Sequence, residues 1–363
     1  MYLQHLNITN FKNIDNFNDD FAEGLNCFTG RNGTGKTNIL DAIHYLSFTK
    51  SYFSTIDARN IMHGCDFFAL HGKYILENNT NKISCIQKLN HKKQFLSDDK
   101  PYRRFAEHIG RLPLIMISPY DDDLINDGSE AKRHFADVLL SQFNSEYLAS
   151  LIAYNKLLLN RNNLLKQLAD EERPDDTVLT LLDEQMENYA DPIFRYRKEF
   201  FSGMAPIFNE YFARITDGRE TVSIRYHSGL EEDNLANLLQ QCRSKDFVLK
   251  YTSAGIHKDD VELLINGYPI KNYGSQGQQK SFIVALKLAQ FDYILTRRKI
   301  KPLLLLDDIF DKLDNQRVAN IIDIVNDDNF GQVFITDTDH ARIDNLLLHT
   351  HKQSKHFNID GRF

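Results

Sequence analysis

Residues 30–37 read G-R-N-G-T-G-K-T and match the pattern G-x-x-x-x-G-K-[ST]. An apolar run at residues 25–28 precedes this stretch, and apolar residues at helical spacing follow it from Ile39 to Leu46. Between a strand and a helix, such glycines let backbone N–H groups curl around phosphate, and the helix N-terminus adds positive potential. The sequence therefore predicts a strand–loop–helix unit that binds the phosphates of a nucleotide.

The residues of this phosphate loop have distinct expected roles in nucleotide binding. Lys36 is expected to reach the terminal phosphates, and the Thr37 hydroxyl is expected to ligate Mg²⁺. The remaining residues supply backbone N–H groups. The candidate nucleotide-binding residues are Gly30, Arg31, Asn32, Gly33, Thr34, Gly35, Lys36 and Thr37.

A second signal for phosphate chemistry lies near the end of the chain. The apolar run at residues 303–306 predicts a buried strand, and Asp307 and Asp308 follow it directly. One acid at the end of such a strand holds Mg²⁺, and the next can polarise the attacking water. Asp307 is thus the candidate metal ligand beside Thr37, and Asp308 is the candidate catalytic residue. Taken alone, the run also fits a core strand with a solvated end.

The stretch Gly274-Ser275-Gln276-Gly277-Gln278 resembles the signature of ATP-binding-cassette (ABC) ATPases. Ser275, Gly277 and Gln278 at the start of a helix would make a second anion site. In that superfamily the site contacts the γ-phosphate bound to the other subunit. The resemblance therefore implies ATP and Mg²⁺ as cofactors and an ATP-dependent homodimer. The same letters also fit an N-cap serine followed by helix-starting glutamines.

The composition limits the class of protein and its expected cellular location. The chain has 363 residues and a net charge of −7, so DNA contact would need local basic patches. Its four cysteines, Cys27, Cys65, Cys85 and Cys242, lack metal-ligand spacing and are expected to be reduced. No leader pattern and no run of membrane-spanning length is evident. These features predict a soluble, cytoplasmic protein.

The pattern along the chain predicts two kinds of structure. Short strand patterns fill residues 1–120 and return after about residue 220, including a strand predicted at 247–252. Between them, a heptad-like apolar stripe at 144–170 and 177–215 predicts a pair of helices, separated by a break at 171–176. We expect a discontinuous head, residues 1–120 and 220–363, with a helical insertion at 121–219. A separate all-helical domain remains an alternative.

The order of these motifs resembles the RecF family of DNA replication and repair proteins. That family is a branch of the ABC-type ATPases that includes the structural-maintenance-of-chromosomes (SMC) proteins. Further stretches carry the same resemblance: residues 6–13, 50–52, 117–119, 255–260 and the acidic stretch 311–314 after Asp308. The resemblance implies an α/β fold, an ABC-type P-loop ATPase head with mixed sheets and an inserted helical arm.

The resemblance also implies a function. It implies ATP-dependent dimerisation on DNA at gaps and at single-strand/double-strand junctions, and slow, DNA-stimulated ATP hydrolysis. It further implies promotion of RecA loading together with RecO and RecR, without a membrane. Two alternatives stay open: a DNA clamp whose ATPase is vestigial, and another ABC-type nucleic-acid ATPase.

Four positions depart from the family pattern. Phe53 stands where many members carry Arg, Tyr120 replaces a usual Glu, and Tyr273 replaces the usual Leu of the signature. Asp337 stands where many ABC-type ATPases carry a switch histidine, and His340, three residues on, is expected at the surface.

Local basic clusters are the candidates for DNA contact. Each cluster also fits a solvated protein face. The clusters of interest are 91–93, 100–104, 132–133, 195–198 and 297–301, of which the first two are favoured because Phe95 and Tyr102 interleave them.

Overall fold

The structure, a computed structural model, describes residues 1–168 and 177–363. These residues divide into two units. The first unit contains residues 1–121, 214–218 and 276–363, and the second contains residues 122–213 and 219–275.

The described chain contains runs of strands and runs of helices. The strands are β1 (Tyr2–Phe11), β2 (Ile14–Asp20), β3 (Leu25–Thr29), β4 (Phe67–Leu76), β5 (Asn79–Lys88), β6 (Gln94–Ser97), β7 (Lys100–Pro101), β8 (Leu114–Ile117), β9 (Val222–His227), β10 (Asp260–Ile265), β11 (Tyr268–Pro269), β12 (Leu303–Asp307), β13 (Val333–Asp337) and β14 (Ser354–Asn358). The α-helices are α1 (Lys36–Phe48), α2 (Asp123–Asn126), α3 (Ser129–Phe143), α4 (Ser145–Leu168), α5 (Thr177–Thr216), α6 (Leu235–Leu249), α7 (Ile270–Tyr273), α8 (Gln276–Arg298), α9 (Asn315–Asn326) and α10 (His340–His349).

A five-stranded parallel sheet carries the phosphate loop in the first unit. Its strand order is β14-β3-β13-β12-β8, and all of its pairings are parallel. The strands β3, β8, β12 and β13 are buried along their whole length. This burial agrees with their nearly continuous apolar sequences, because helices or a second sheet cover both faces of a parallel sheet.

An antiparallel sheet forms the second layer of the first unit. Its strand order is β2-β1-β4-β5-β6-β7. Helix α1 contacts strands of both sheets, including β4 and β1 on one side and β12 and β13 on the other. Burial of α1 on all sides explains why its apolar residues are not confined to one stripe.

The second unit combines long helices with a small sheet. The sheet has the order β11-β10-β9, and α3 contacts β10. The two helices predicted from the heptad-like stripe are present as α4 and α5. The predicted break at 171–176 lies outside the described residues.

The expected combination of strands and helices is confirmed, but one predicted strand is wrong. Residues 247–249 form the last turn of α6, and Lys250 ends that helix in the left-handed conformation with φ 57°. Asn234 caps the same helix, because its side chain accepts a hydrogen bond from Asn237 N–H. Three consecutive apolar residues do not distinguish a strand from the end of a helix, so the strand prediction missed these capping signals.

The predicted domain limits stay a prediction. They assigned residues 220–275 to the head, whereas the compact units group residues 219–275 with most of the helical residues. Strand β10 and helix α3 are in contact within that second unit, and a reading of helical stripes alone did not anticipate this packing.

His108 links the antiparallel sheet to α1 in the first unit. Its imidazole is fully buried, with Nε2 2.7 Å from the Leu46 carbonyl oxygen and Nδ1 3.0 Å from the Tyr102 hydroxyl. Burial lowers the pKa of His108 from 6.5 to about 4, although the bond to Leu46 opposes this shift. The folded protein therefore holds this ring neutral.

We predict that His108 makes stability depend on pH below neutrality. Between pH 6.5 and about 4 the unfolded chain binds a proton at His108 that the folded chain does not, so stability falls as pH drops. In His108→Gln, the slope of unfolding free energy against pH should be smaller by up to about 1.4 kcal/mol per pH unit. Urea unfolding across this range measures the slope. His63→Gln, at an exposed position, should keep the wild-type slope, and equal slopes for both variants would contradict the prediction.

Candidate nucleotide site

The candidate site lies at the carboxyl edge of the parallel sheet. Strand β3 ends at Thr29 just before the phosphate loop, β12 ends at Asp307, and β13 ends at Asp337. These strands are neighbours in the order β3-β13-β12. Parallel strands bring their carboxyl ends to one edge, which is where open α/β sheets bind ligands.

The phosphate loop is closed by its own hydrogen bonds. The Lys36 ammonium donates to the carbonyl oxygens of Gly30 at 2.6 Å and Arg31 at 3.0 Å. The Thr34 hydroxyl also donates to the Arg31 carbonyl oxygen, at 2.8 Å. Helix α1 begins at Lys36, so its first N–H groups belong to the loop. The loop thus presents a cation and a helix N-terminus to the same place.

One hydrogen bond joins the phosphate loop to the acid-ended strand. The Thr37 hydroxyl donates to Asp307 Oδ1 at 2.9 Å, and the Thr336 hydroxyl donates to the same oxygen at 2.8 Å. The Asp308 N–H in turn donates to the Thr336 hydroxyl oxygen at 3.0 Å. The structure therefore brings together Thr37, Asp307 and Asp308. Sequence reasoning missed Thr336, although it lies one residue before Asp337.

Burial sets the protonation of the paired acids. It raises the pKa of Asp307 to about 6, while the hydrogen bonds from Thr336 and Thr37 oppose this shift. Burial also raises the pKa of Asp308, and the nearby positive charge of Lys36 lowers it. A carboxylate held without a full counter-charge favours a cation beside it.

The donors here suit Mg²⁺. Mg²⁺ prefers oxygen ligands, and it is usually held by one or two carboxylates together with substrate phosphates and water. The Thr37 hydroxyl and the Asp307 carboxylate supply such oxygens. Among residues 1–168 and 177–363, no group of three or more His, Cys, Asp or Glu side chains is arranged to hold a metal by itself.

Asn13 and Asn38 complete the wall of the cleft. A cleft of about 260 Å³ is lined by Asn13, Asn32, Gly33, Gly35, Lys36, Thr37, Asn38 and Asp308. Asn13 Nδ2 donates to the Gly33 carbonyl oxygen at 2.9 Å, and Asn38 Nδ2 donates to Asn13 Oδ1 at 2.6 Å. Asn13 comes from the β1–β2 turn, so a search for loop motifs had no signal for it.

Asp337 forms an ion pair with Arg342. Arg342 Nη1 donates to Asp337 Oδ2 at 2.7 Å, and the Asp339 N–H donates to Asp337 Oδ1 at 2.9 Å. His340 is exposed, as expected. Neither residue is among those that line the cleft.

The signature residues lie at the start of α8. The division between the two units falls between Ser275 and Gln276, the first residue of α8. Gly277 and Gln278 lie in the first turn. A Cβ atom on Gly277 would meet the Lys312 carbonyl oxygen and Arg317 Nη1 at 3.6 Å, which is ordinary contact distance. The structure thus places these residues at a helix N-terminus and not on the wall of the cleft.

Two of the family-like stretches meet at Asp41 of α1. Lys12 Nζ lies 2.6 Å from Asp41 Oδ2, the Ser51 hydroxyl donates to that oxygen at 2.6 Å, and the Tyr52 N–H donates to Oδ1 at 2.7 Å. Asp41 is fully buried. These stretches therefore stabilise the position of α1 and of the phosphate loop at its N-terminus.

Two departures from the family pattern contact each other. The rings of Phe53 and Tyr120 lie 5.3 Å apart, and the Lys12 ammonium lies 4.8 Å from the Phe53 ring centroid. An aromatic pair thus stands where the resemblance expects an Arg and a Glu. Phe53 carries no charge for a phosphate contact.

The basic clusters differ in whether their cations pair with oxygen atoms of the protein itself. Lys93, in a favoured cluster, points inward: its ammonium donates to the Thr49 carbonyl oxygen at 2.6 Å and to Asp57 Oδ2 at 2.8 Å. Arg197 is buried and pairs with Asp137 and Asp259 in the second unit. The prediction of DNA contact is therefore wrong for these two side chains.

Other cations differ in exposure. Lys132 pairs with Asp260, and Lys198 pairs with Glu231. By contrast, the cluster at 100–104 has exposed cations at Lys100, Arg103 and Arg104, with the exposed Lys92 on the preceding segment. The stretch 100–104 is therefore the better of the two favoured clusters.

Comparisons with known proteins agree with the motif order. The family model for the RecF/RecN/SMC N terminal domain matches residues 2–354. The DNA replication and repair protein RecF of Flavobacterium johnsoniae is 46% identical over 359 residues, covering 99% of this chain and 100% of the relative. The RecF of Bacteroides thetaiotaomicron is 44% identical, covering 99% and 97%.

Solved structures show the same fold. The structure of the recombination mediator protein RecF-ATPrS in the RecFOR pathway superposes with a TM-score of 0.86 at 27% identity, covering 99% of this chain and 96% of that chain. An Smc head domain from Pyrococcus furiosus shares the fold alone, with a TM-score of 0.56 at 17% identity over 95% and 91%. Within the described residues, no helix has both the length and the apolar character needed to cross a membrane.

These findings confirm the predicted fold class, an α/β ABC-type ATPase head with helical elements added. They also confirm the resemblance on which the functional expectations were based. The chain belongs to the RecF family of DNA replication and repair proteins.

Proposed function

We propose that this protein is an ATPase of DNA repair that dimerises on DNA when it binds ATP and hydrolyses ATP slowly. The observation that carries the proposal is the 2.9 Å bond between the Thr37 hydroxyl and Asp307, because it joins the phosphate loop to the acid-ended strand. Bound Mg²⁺, held by Thr37 and Asp307, supplies charge neutralisation of the phosphates. Lys36 binds the terminal phosphates, and the loop N–H groups orient them.

Asp308 is the proposed catalytic residue. It lies in the cleft lining beside Lys36 and Thr37, and its N–H is held by Thr336. Its backbone is left-handed, with φ 44°, and it follows directly after the end of β12 at Asp307. In this role the Asp308 carboxylate orients the attacking water and accepts its proton.

The signature supports dimerisation. Nothing in the described chain requires glycine at position 277, since a Cβ atom there would meet only ordinary contacts. The absence of a side chain at this position leaves room for a close approach by another molecule. The proposed molecule is the γ-phosphate bound to Lys36 of a second copy, with Ser275 and Gln278 as further contacts.

The partners are proposed from the family. The solved RecF structures are described as recombination mediator proteins in the RecFOR pathway, which supports RecO and RecR as partners. Promotion of RecA loading is proposed from the family resemblance alone. Gapped DNA and single-strand/double-strand junctions are the proposed substrates, in the cytoplasm. The exposed cluster at 100–104 is the proposed DNA contact. A clamp with a vestigial ATPase would bind ATP and DNA without turnover, which a turnover assay on gapped DNA distinguishes.

We predict that Lys36→Ala and Asp308→Asn separate binding from hydrolysis. Lys36→Ala removes the cation that meets phosphate charge, so it should abolish ATP binding while the protein stays folded. Asp308→Asn should keep ATP affinity and reduce turnover at least about 100-fold, the usual contribution of a positioned proton acceptor. Fluorescent-ATP binding and phosphate release measure the two effects. Full ATP affinity in folded Lys36→Ala, or wild-type turnover in Asp308→Asn, would contradict these roles.

We predict that Ser275→Arg binds ATP but does not dimerise. Its own phosphate loop is intact, whereas the arginine side chain would obstruct the site that receives the partner's γ-phosphate. Wild-type protein should be monomeric without nucleotide and dimeric with ATP and Mg²⁺, because two positive helix ends repel each other until phosphate lies between them. Sedimentation velocity reads this directly.

The matched experiment mixes Ser275→Arg with Lys36→Ala. Each defect lies on a different half of the composite site, so the mixture can restore at most one site per dimer. Normal dimerisation of Ser275→Arg alone would show that residues 274–278 only begin a helix.

We predict that DNA binding depends on Arg103 and Arg104. Replacing both with Glu should weaken binding and reduce the slope of log affinity against log salt by about 2, since each phosphate contact contributes about 0.9. The control is Arg195→Glu with Lys198→Glu, which changes the same charge at exposed cations that have acidic partners. Fluorescence anisotropy with gapped duplex gives both slopes. A slope for the Arg103/Arg104 variant equal to that of the wild type would assign this cluster to a solvated face.

A further inference from the structure

Residues 359–363, which follow β14, lie against the phosphate loop. Strand β14 runs parallel to β3 in a register that pairs Asn358 with Thr29, so the two strands end at the same edge. The Ile359 N–H continues the pairing by donating to the Thr29 carbonyl oxygen at 2.8 Å, and Ile359 is fully buried. The residues after Ile359 therefore lie next to the loop that begins at Gly30.

Asp360 contacts the first half of the loop. Its Oδ1 accepts a hydrogen bond from the Arg31 N–H at 2.8 Å. The approach to Gly30 is so close that a Cβ atom there would lie 3.0 Å from Asp360 Oδ1. The Asp360 N–H donates to Asn358 Oδ1 at 3.0 Å, which ties the Asp360 backbone to the end of β14.

Phe363 covers the second half of the loop. A Cβ atom on Gly35 would lie 3.1 Å from Phe363 Cδ2, and Gly35 has a φ of 98°, which glycine adopts readily. The Phe363 ring lies 6.3 Å from that of Phe17. Arg362 is anchored by Asp19, with 2.9 Å between Nη1 and Oδ2. Two different side chains of residues 359–363 thus touch the two ends of the loop.

We propose that Asp360 and Phe363 are positioning residues that hold the phosphate loop in its binding shape. This inference rests on the proposed nucleotide binding. Three glycines in eight residues make the loop costly to order, and a loop held in shape before binding loses less entropy when phosphate arrives. Asp360 holds the Arg31 N–H, and Phe363 packs on Gly35 where α1 begins.

The Asp360 carboxylate also has an opposing effect. Its negative charge repels nucleotide phosphates, so its hydrogen bond and its charge should act in opposite directions. Asp360→Asn keeps a side-chain oxygen acceptor and removes the charge. Asp360→Ala removes both. The two variants therefore separate the positioning role from the charge.

The test measures fluorescent-ATP affinity of the full chain by titration. A lost hydrogen bond of ordinary strength corresponds to roughly threefold to tenfold weaker binding, which is the loss expected for Asp360→Ala relative to Asp360→Asn. Asp360→Asn should bind within about twofold of wild type or more tightly, because the acceptor is retained. Phe363→Ala should weaken binding and Phe363→Leu should restore most of it. Asp344→Ala removes an exposed carboxylate on α10 and should bind as wild type.

Clear outcomes overturn the inference. Equal ATP affinities in Asp360→Ala and Asp360→Asn, which both lack the charge, would show that the hydrogen bond does not position the loop. An unchanged affinity in Phe363→Ala would remove Phe363 from the role. Failure of the wild-type protein to bind ATP would instead contradict the proposed function.

Discussion

Burial of helix α1 between two sheets is the constraint on which the rest of the first unit depends. Because α1 contacts strands of both sheets, its position is set from two sides. Its N-terminus therefore presents Lys36 and Thr37 at a defined place on the carboxyl edge of the parallel sheet. The buried Asp41 adds a polar anchor, since Lys12, Ser51 and the Tyr52 N–H all satisfy it. A buried carboxylate without such partners would cost several kcal/mol.

The charged groups of the proposed site are only partly compensated by other groups of the protein. Lys36 is satisfied by loop carbonyl oxygens, while Asp307 is buried between two hydroxyl donors, and burial raises its pKa to about 6. The cation and the acids are thus arranged to be compensated by Mg²⁺ and phosphate together. Such preorganisation is unfavourable for the free protein and favourable for the bound state.

The glycines at positions 30, 35 and 277 have different neighbours, and these neighbours give different reasons for a glycine at each position. Gly30 and Gly35 are required by the close approach of Asp360 and Phe363, and by the backbone conformation at Gly35. Gly277 has neither reason within the described chain, which is why a partner's phosphate is the proposed neighbour. The residues after β14 add a support for the loop that comes from far along the chain.

Local patterns determined much of this protein. The strand–loop–helix at residues 25–48, the acid-ended strand β12 and the helices α4 and α5 follow from periodicity and glycine placement, which act over short stretches of chain. Tertiary structure decided what depends on packing between distant segments. It brought Thr336 to Asp307 and Asn13 to the cleft, and it placed Lys93 and Arg197 in ion pairs. It also made residues 247–249 the end of a helix, where Lys250 adopts the left-handed conformation, because apolar content alone does not distinguish a strand from a helix end.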